Sequence, residues 1–124
     1  MEQHQFNVLV KVTYLPDESD AENRQFAFAY TVTIKNVGQL PAQLIARHWI
    51  ITDGENEVQE VRGLGVVGQQ PLLRPGEQFE YTSWATLPTP MGTMRGDFFC
   101  FSEDAQFFQT PIPEFALVMP RTLH

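Results

Sequence analysis

The segment Val61-Arg62-Gly63-Leu64-Gly65-Val66-Val67-Gly68 spaces its glycines as G-x-G-x-x-G, and Pro71 and the Pro75-Gly76 pair follow almost at once. In a dinucleotide-binding fold that spacing works because a helix starts straight after the glycines, and the N–H groups at its N-terminus hold the pyrophosphate. Here Arg74-Pro75-Gly76-Glu77 carries the type II turn pattern, proline second and glycine third. At most one helical turn fits between Gly68 and Pro75. The segment therefore reads as a glycine-rich crossing between two strands, which turns the rest of the chain toward extended structure.

The flanking sequence agrees. Phe6, Val8, Val10, Val12 and Tyr14 fall on one face with Lys11 and Thr13 on the other, and over Phe26 to Asn36 the residues Phe26, Phe28, Tyr30, Val32 and Ile34 line one face with Ala27, Ala29, Thr31, Thr33 and Lys35 on the other. A side-chain period of two is the mark of a half-buried strand. Further strands are expected over Gln43 to Thr52, Val58 to Arg62, Gln78 to Trp84, Met94 to Ser102 and Phe107 to Met119. Both faces of Gln43 to Thr52 are partly apolar: Ile45, Arg47, Trp49 and Ile51 on one, Leu44, His48 and Ile50 on the other. Periodicity alone does not say which is inside. Pro111 and Pro113 in the last strand imply a sheet edge or a bulge. Asn36-Val37-Gly38 and Asp53-Gly54 are turns, and Pro16 to Glu22 is an acidic solvated loop. Thr86 to Thr93, interrupted by Pro88, Pro90 and Gly92, is expected to be irregular.

No stretch of ten or more residues has helical periodicity. The expected fold is one all-β domain over residues 1–124, an immunoglobulin or fibronectin type III-like antiparallel β-sandwich of seven or eight strands, with residues 1–5 disordered. An eight-stranded barrel is the other closed solution.

Charge excludes one class of partner. Fifteen carboxylates stand against eight basic residues, a net charge of −7, and the basic residues are scattered rather than gathered. Phosphate neutralisation needs a basic patch, so nucleic acid is not expected. The longest apolar run, Phe115 to Met119, is far short of the ~20 residues of a membrane helix. With no secretory signal pattern at the N-terminus, the expected location is the cytoplasm, without membrane insertion. Cys100 is the only cysteine, so neither an intrachain disulfide nor a thiolate zinc cluster can form.

Arg47-His48-Trp49-Ile50-Ile51-Thr52-Asp53, the run Gly63 to Gly76, Tyr81-Thr82-Ser83 and Thr89-Pro90-Met91-Gly92-Thr93-Met94-Arg95-Gly96 appear in one order with Phe28-Ala29-Tyr30-Thr31-Val32 before them. Together they resemble the ApaG family over nearly the whole chain from about Phe6, with Trp84 standing where a smaller residue is common. The resemblance implies a fibronectin type III-like sandwich in the cytoplasm and an indirect association with cobalt resistance and magnesium efflux. It supplies no catalytic residues.

Two surfaces are candidates for binding. In the first, Gly63, Gly65 and Gly68 form a concave nest of backbone N–H groups, with Arg47 and Arg62 adding charge, that takes pyrophosphate or a dinucleoside polyphosphate. In the second, Trp84, Leu87, Pro88, Pro90 and Met91 crowd a loop that presents aromatic and apolar groups to a protein partner or to a second copy in a homodimer. Neither a catalytic centre nor a cofactor is expected. His4, His48 and His124 lie at the start, middle and end of the chain with no paired metal-ligand spacing, Cys100 sits among phenylalanines, and Ser83 lacks a nucleophile elbow. The reading is a non-enzymatic protein-recognition module; the alternative is a small-ligand sensor built on the glycine loop.

Overall fold

Strict alternation builds the first sheet. Strand β1 (Phe6–Tyr14) turns Phe6, Val8, Val10, Val12 and Tyr14 inward and leaves Asn7, Leu9, Lys11 and Thr13 outside. Strand β2 (Phe26–Asn36) buries Phe26, Phe28, Tyr30, Val32 and Ile34 on its inward face. The two pair antiparallel, and the other edge of β2 carries β6 (Gln78–Leu87), with Tyr81 opposite Val32. The structure, a computed structural model, describes residues 4–120.

The second sheet runs in the order β4-β3-β7-β8, formed by β4 (Val58–Leu64), β3 (Ala42–Asp53), β7 (Met91–Ser102) and β8 (Phe107–Val118). The two-residue β5 (Leu72–Leu73) also pairs with β3. Every ladder is antiparallel, and no ladder joins the two sheets, which makes a three-on-five sandwich and not a barrel. Strands β1 and β8 meet along one margin. The opposite margin is left to the edge strands β4 and β6.

The core fills the space between the sheets. Phe28, Val32 and Ile34 face Leu44, Met94, Phe98 and Leu117 across it, all with no accessible surface. Trp49 organises the aromatic part: its ring lies edge-on to Tyr30, Phe98 and Phe115 at centroid distances of 5.4, 6.3 and 5.9 Å. Edge-to-face contacts of this kind add to the gain from area burial.

A bulge resolves the two-faced reading of β3. Leu44 lies opposite Cys100 but Ala46 opposite Phe99, so Ile45 is an extra residue and the inward parity changes there. Ala42 and Leu44 point inward before it; Arg47, Trp49 and Ile51 do so after it. A second bulge lies where Met94 faces Phe115 while Gly96 faces Ile112, which places Pro113 and Glu114 as the doubled residues of β8. That strand is also a sheet edge, so its prolines remove no ladder bond from a second neighbour.

Several expectations need correction. Thr86 to Thr93 is not irregular throughout: β6 continues to Leu87 and β7 starts at Met91, with only Pro88-Thr89-Pro90 between them. The buried Thr89 hydroxyl holds this turn, donating to the Met91 carbonyl and accepting from the Gly54 N–H. The acidic loop contains short 3-10 turns at Pro16–Glu18 and Ala21–Asn23. At the N-terminus His4 bonds Asp104 and stacks on Phe108, and the Gln5 carbonyl accepts from Val37 N–H; residues 1–3 lie outside the described residues. The buried Asn36 closes the crossing between sheets, donating to the Leu40 and Leu73 carbonyls and accepting from Gly38 N–H.

Candidate functional site

Position 47 comes straight after the β3 bulge, which turns Arg47 into the sandwich instead of out of it. The side chain is half-buried and ends against β4, where Nη1 donates to the carbonyls of Leu64 at 3.1 Å and Gly65 at 2.9 Å. Gly63 sits opposite it in the ladder. A Cβ on Gly63 would stand 2.8 Å from both Nη atoms, so a larger residue there would move the guanidinium from its present seat.

That corrects the reading of the glycine segment. Gly65 and Gly68 do have positive φ, 66° and 80°, but Gly63 does not. Val66 and Gln69 exchange both backbone hydrogen bonds around a two-residue turn, Val67-Gly68, with φ positive at both central residues, the geometry of a type I′ hairpin. The Gly65, Val66 and Gln69 N–H groups are all spent on chain carbonyls. Arg47, Arg62 and Gly63 border a shallow hollow of about 330 Å³ with Ala46, Leu64 and Phe99, but Arg62 stands opposite His48 in the ladder and so faces away from the side on which Arg47 meets Gly63. Gly65 and Gly68 lie outside it, and the Arg62 guanidinium is 3.7 Å from Glu60, which also binds His48 at 2.8 Å.

The apolar candidates separate. Trp84 is 66% exposed on the outer face of β6, whereas Leu87 is 3% exposed and belongs to the core. Leu87 therefore leaves the patch: strand alternation carries it inward, an odd number of residues from Trp84. Trp84 borders a hollow of about 530 Å³ with Leu15, Glu18, Ala27 and Thr86. Pro88, Pro90 and Met91 are exposed at the β6–β7 turn, on the end of the molecule and not on that face.

Groups with catalytic potential are sealed or miswired. Burial pushes the Cys100 thiol up to about 12, against a weak contact to the Thr110 hydroxyl. Burial, with Tyr30 adding to it, also pushes the Tyr81 phenol well up, and the nearby Arg47 charge pulls the other way. Ser102, Asp104 and His4 come together with Asp104 in the middle, accepting from the Ser102 hydroxyl and bonding His4 Nε2 at 2.9 Å. The Ser102 hydroxyl, then His4, hold the Asp104 carboxyl below its ordinary range. A nucleophilic triad needs the imidazole in the middle, beside the hydroxyl. Among the described residues no three His, Cys, Asp or Glu side chains converge as a metal site; His124 lies outside them.

A family model described as the ApaG domain matches residues 16–102. The chain belongs to the ApaG family. A relative from Ralstonia nicotianae named Protein ApaG is 61% identical over 124 residues and covers 100% of both chains. One of the same name from Bordetella pertussis is 63% identical over 121 residues, 96% of this chain and 92% of that one. The crystal structure of the putative ApaA protein from Bordetella pertussis superposes with a TM-score of 0.94 at 60% identity, covering 98% of each chain. The ApaG match stops at Ser102, at the end of β7, so it contains the Arg47–Gly63 pair and Trp84 but neither β1 nor β8.

Sequence reasoning missed three features of this ApaG sandwich. One is the outer face of the second sheet, where Leu64, Leu72 and Phe107 are exposed and Phe101 packs on Phe107 at 4.6 Å; alternation showed the phenylalanines but not that both faces of β7 carry them. Another is Gly96, whose Cβ would collide with the His48 carbonyl at 1.9 Å. The third is the inward turn of Arg47, which only the bulge reveals. No helix among the described residues is long and apolar enough to cross a membrane.

Proposed function

We propose that the chain is a non-enzymatic, cytoplasmic recognition module that binds a protein partner, or a second copy of itself, through the outer face of β6. The observation that carries this reading is Trp84: a large aromatic side chain 66% exposed on a strand of unbroken register, beside a hollow of about 530 Å³. Exposed tryptophans next to a depression are the groups that dominate binding energy when a partner desolvates them. The edge of β6 adds to this, since β6 pairs only with β2 and carries no proline or bulge to protect its free side. The association with cobalt resistance and magnesium efflux would then run through the partner and not through a metal bound here.

The test is affinity capture from cells of origin with wild-type, Trp84→Ala and Phe107→Ser baits, together with the mass of the free protein in solution. A partner or dimer retained by wild type and Phe107→Ser but lost from Trp84→Ala is expected. Loss from Phe107→Ser alone would move the interface to the second sheet.

A further inference from the structure

On the outer face of the first sheet, the middle strand β2 carries its smallest side chains beside Trp84. Ala29 stands between Thr13 of β1 and Trp84 of β6, and Ala27, next along, stands opposite Thr86. The Leu15 N–H bonds the Ala27 carbonyl, which brings Leu15 to the other side of Ala27. Walls two strand spacings apart, about 10 Å, thus flank an alanine floor. Together they make the hollow of about 530 Å³ bordered by Leu15, Glu18, Ala27, Trp84 and Thr86.

The two ends of this trough differ. In the row beyond Ala29 and Trp84, the Thr31 and Thr82 hydroxyls bond each other at 2.8 Å. At the opposite end stands the 3-10 turn Pro16–Glu18, fastened by the Ser19 hydroxyl, which donates to the Leu15 carbonyl and accepts from the Ala27 N–H. That clamp holds Glu18 at the rim, within the acidic run Asp17-Glu18-Ser19-Asp20-Ala21-Glu22. Among the described residues, Asp17, Glu18 and Glu22 form no ion pair. No cation borders the hollow. Lys11 stands opposite Thr31, at the end away from Glu18, and the Arg24 guanidinium is committed to Glu55 and the Pro88 carbonyl.

We propose that this hollow takes an arginine side chain of the partner protein, with the guanidinium on the Trp84 indole and paired with Glu18, and the stem against Leu15 and Ala27. The inference rests on the reading of the outer face of β6 as the recognition surface, and it names what that surface selects. An indole 66% exposed has ring surface open to a cation. A carboxylate without an ion partner accepts the two parallel N–H bonds of a guanidinium fork, a geometry that an ammonium group does not match. An aliphatic wall and an alanine floor cover a stem of methylenes. The net charge of −7 steers a basic partner toward the chain.

The experiment titrates the isotopically labelled protein with the peptide acetyl-Gly-Arg-Gly-amide and, separately, with its twin carrying citrulline, a neutral side chain of nearly the same shape. Saturable shifts of the Trp84 indole N–H and of the Ala27 and Thr86 amides, in the millimolar range, are expected with the arginine peptide. Citrulline should weaken binding about tenfold, and Glu18→Gln roughly threefold to tenfold. Trp84→Ala should remove the shifts at Ala27 and Thr86. Glu103→Gln, which deletes an exposed carboxylate at the β7–β8 turn, should leave the affinity unchanged. Equal affinity for the citrulline peptide, undiminished affinity in Glu18→Gln, or shifts confined to residues outside the hollow would overturn the proposal. Glu18→Gln as a capture bait separates this inference from the surface reading. A partner kept by Glu18→Gln but lost from Trp84→Ala overturns the arginine site and leaves the surface standing, whereas a partner kept by Trp84→Ala strikes the surface and the proposal with it.

Discussion

The Arg47 guanidinium lies on Gly63, the residue opposite it in the β3–β4 ladder, and a Cβ there would meet both Nη atoms at 2.8 Å. The first glycine of the G-x-G-x-x-G pattern is thus a seat for a cation anchored to backbone carbonyls, and the pattern's resemblance to a phosphate loop ends there. Gly63→Ala forces the tethered guanidinium aside, an overpacking cost of about 1–3 kcal/mol. Urea unfolding measures the loss, and a displaced Arg47 Nε–H resonance shows where it arises.

The turn after it carries its own strain. Val67 adopts φ 43° at the first central position of the hairpin turn, where a β-branched side chain is a poor fit. Val67→Asn installs the Asn-Gly pair that this turn prefers, and since Val67 is exposed, no packing is lost. A stability gain of about 1 kcal/mol is expected by thermal or urea denaturation.

Alkali should weaken the fold in two successive pH ranges. The Cys100 thiol rises from an ordinary 9.0 to about 12 in the fold, and the Tyr81 phenol rises above its ordinary 10.0. Both are neutral when folded, so above their ordinary values the unfolded chain loses protons that the folded chain keeps. Their contribution is complete below pH 9.0 and falls between there and about 12, at about 1.4 kcal/mol per pH unit for each group. The Tyr81 share begins near pH 10.0. In Cys100→Ala the decline should start nearer 10 than 9, read from urea midpoints across that range. The native thiol should also resist thiol-specific reagents until the protein unfolds.

Tyr81→Phe removes a buried hydroxyl that has no partner. Stability should rise by about 1 kcal/mol, since an unsatisfied group is lost and the ring stays.

Alternation made most of this architecture readable. The inward faces of β1 and β2 could be read directly because those strands have no bulge and one clearly apolar side. The Pro75-Gly76 turn was equally plain: Gly76 has φ 88°, and the Glu77 N–H bonds the Arg74 carbonyl. The face of β3 was not, because the extra residue at Ile45 changes parity midway, and nothing in the residue types marks a bulge. The inward seat of Arg47 stayed hidden for the same reason, since it reads as a surface cation until the bulge turns it inward. The β6–β7 hairpin was obscured by its prolines, which occupy only the turn that the Thr89 hydroxyl fastens. Trp84 and Leu87 looked like neighbours in one loop, and only the extension of β6 to Leu87 puts them on opposite faces.

The claim that the outer face of β6 is the recognition surface is tested most directly by comparing Trp84→Ala with Leu87→Ala, with folding and binding measured on each. Leu87→Ala should cost about 2–5 kcal/mol of stability because it empties a core position. Trp84→Ala, at a site 66% exposed, should cost less than ~1 kcal/mol. The account predicts that the well-folded Trp84→Ala protein loses the partner or dimer that wild type retains. Undiminished retention by Trp84→Ala would contradict it.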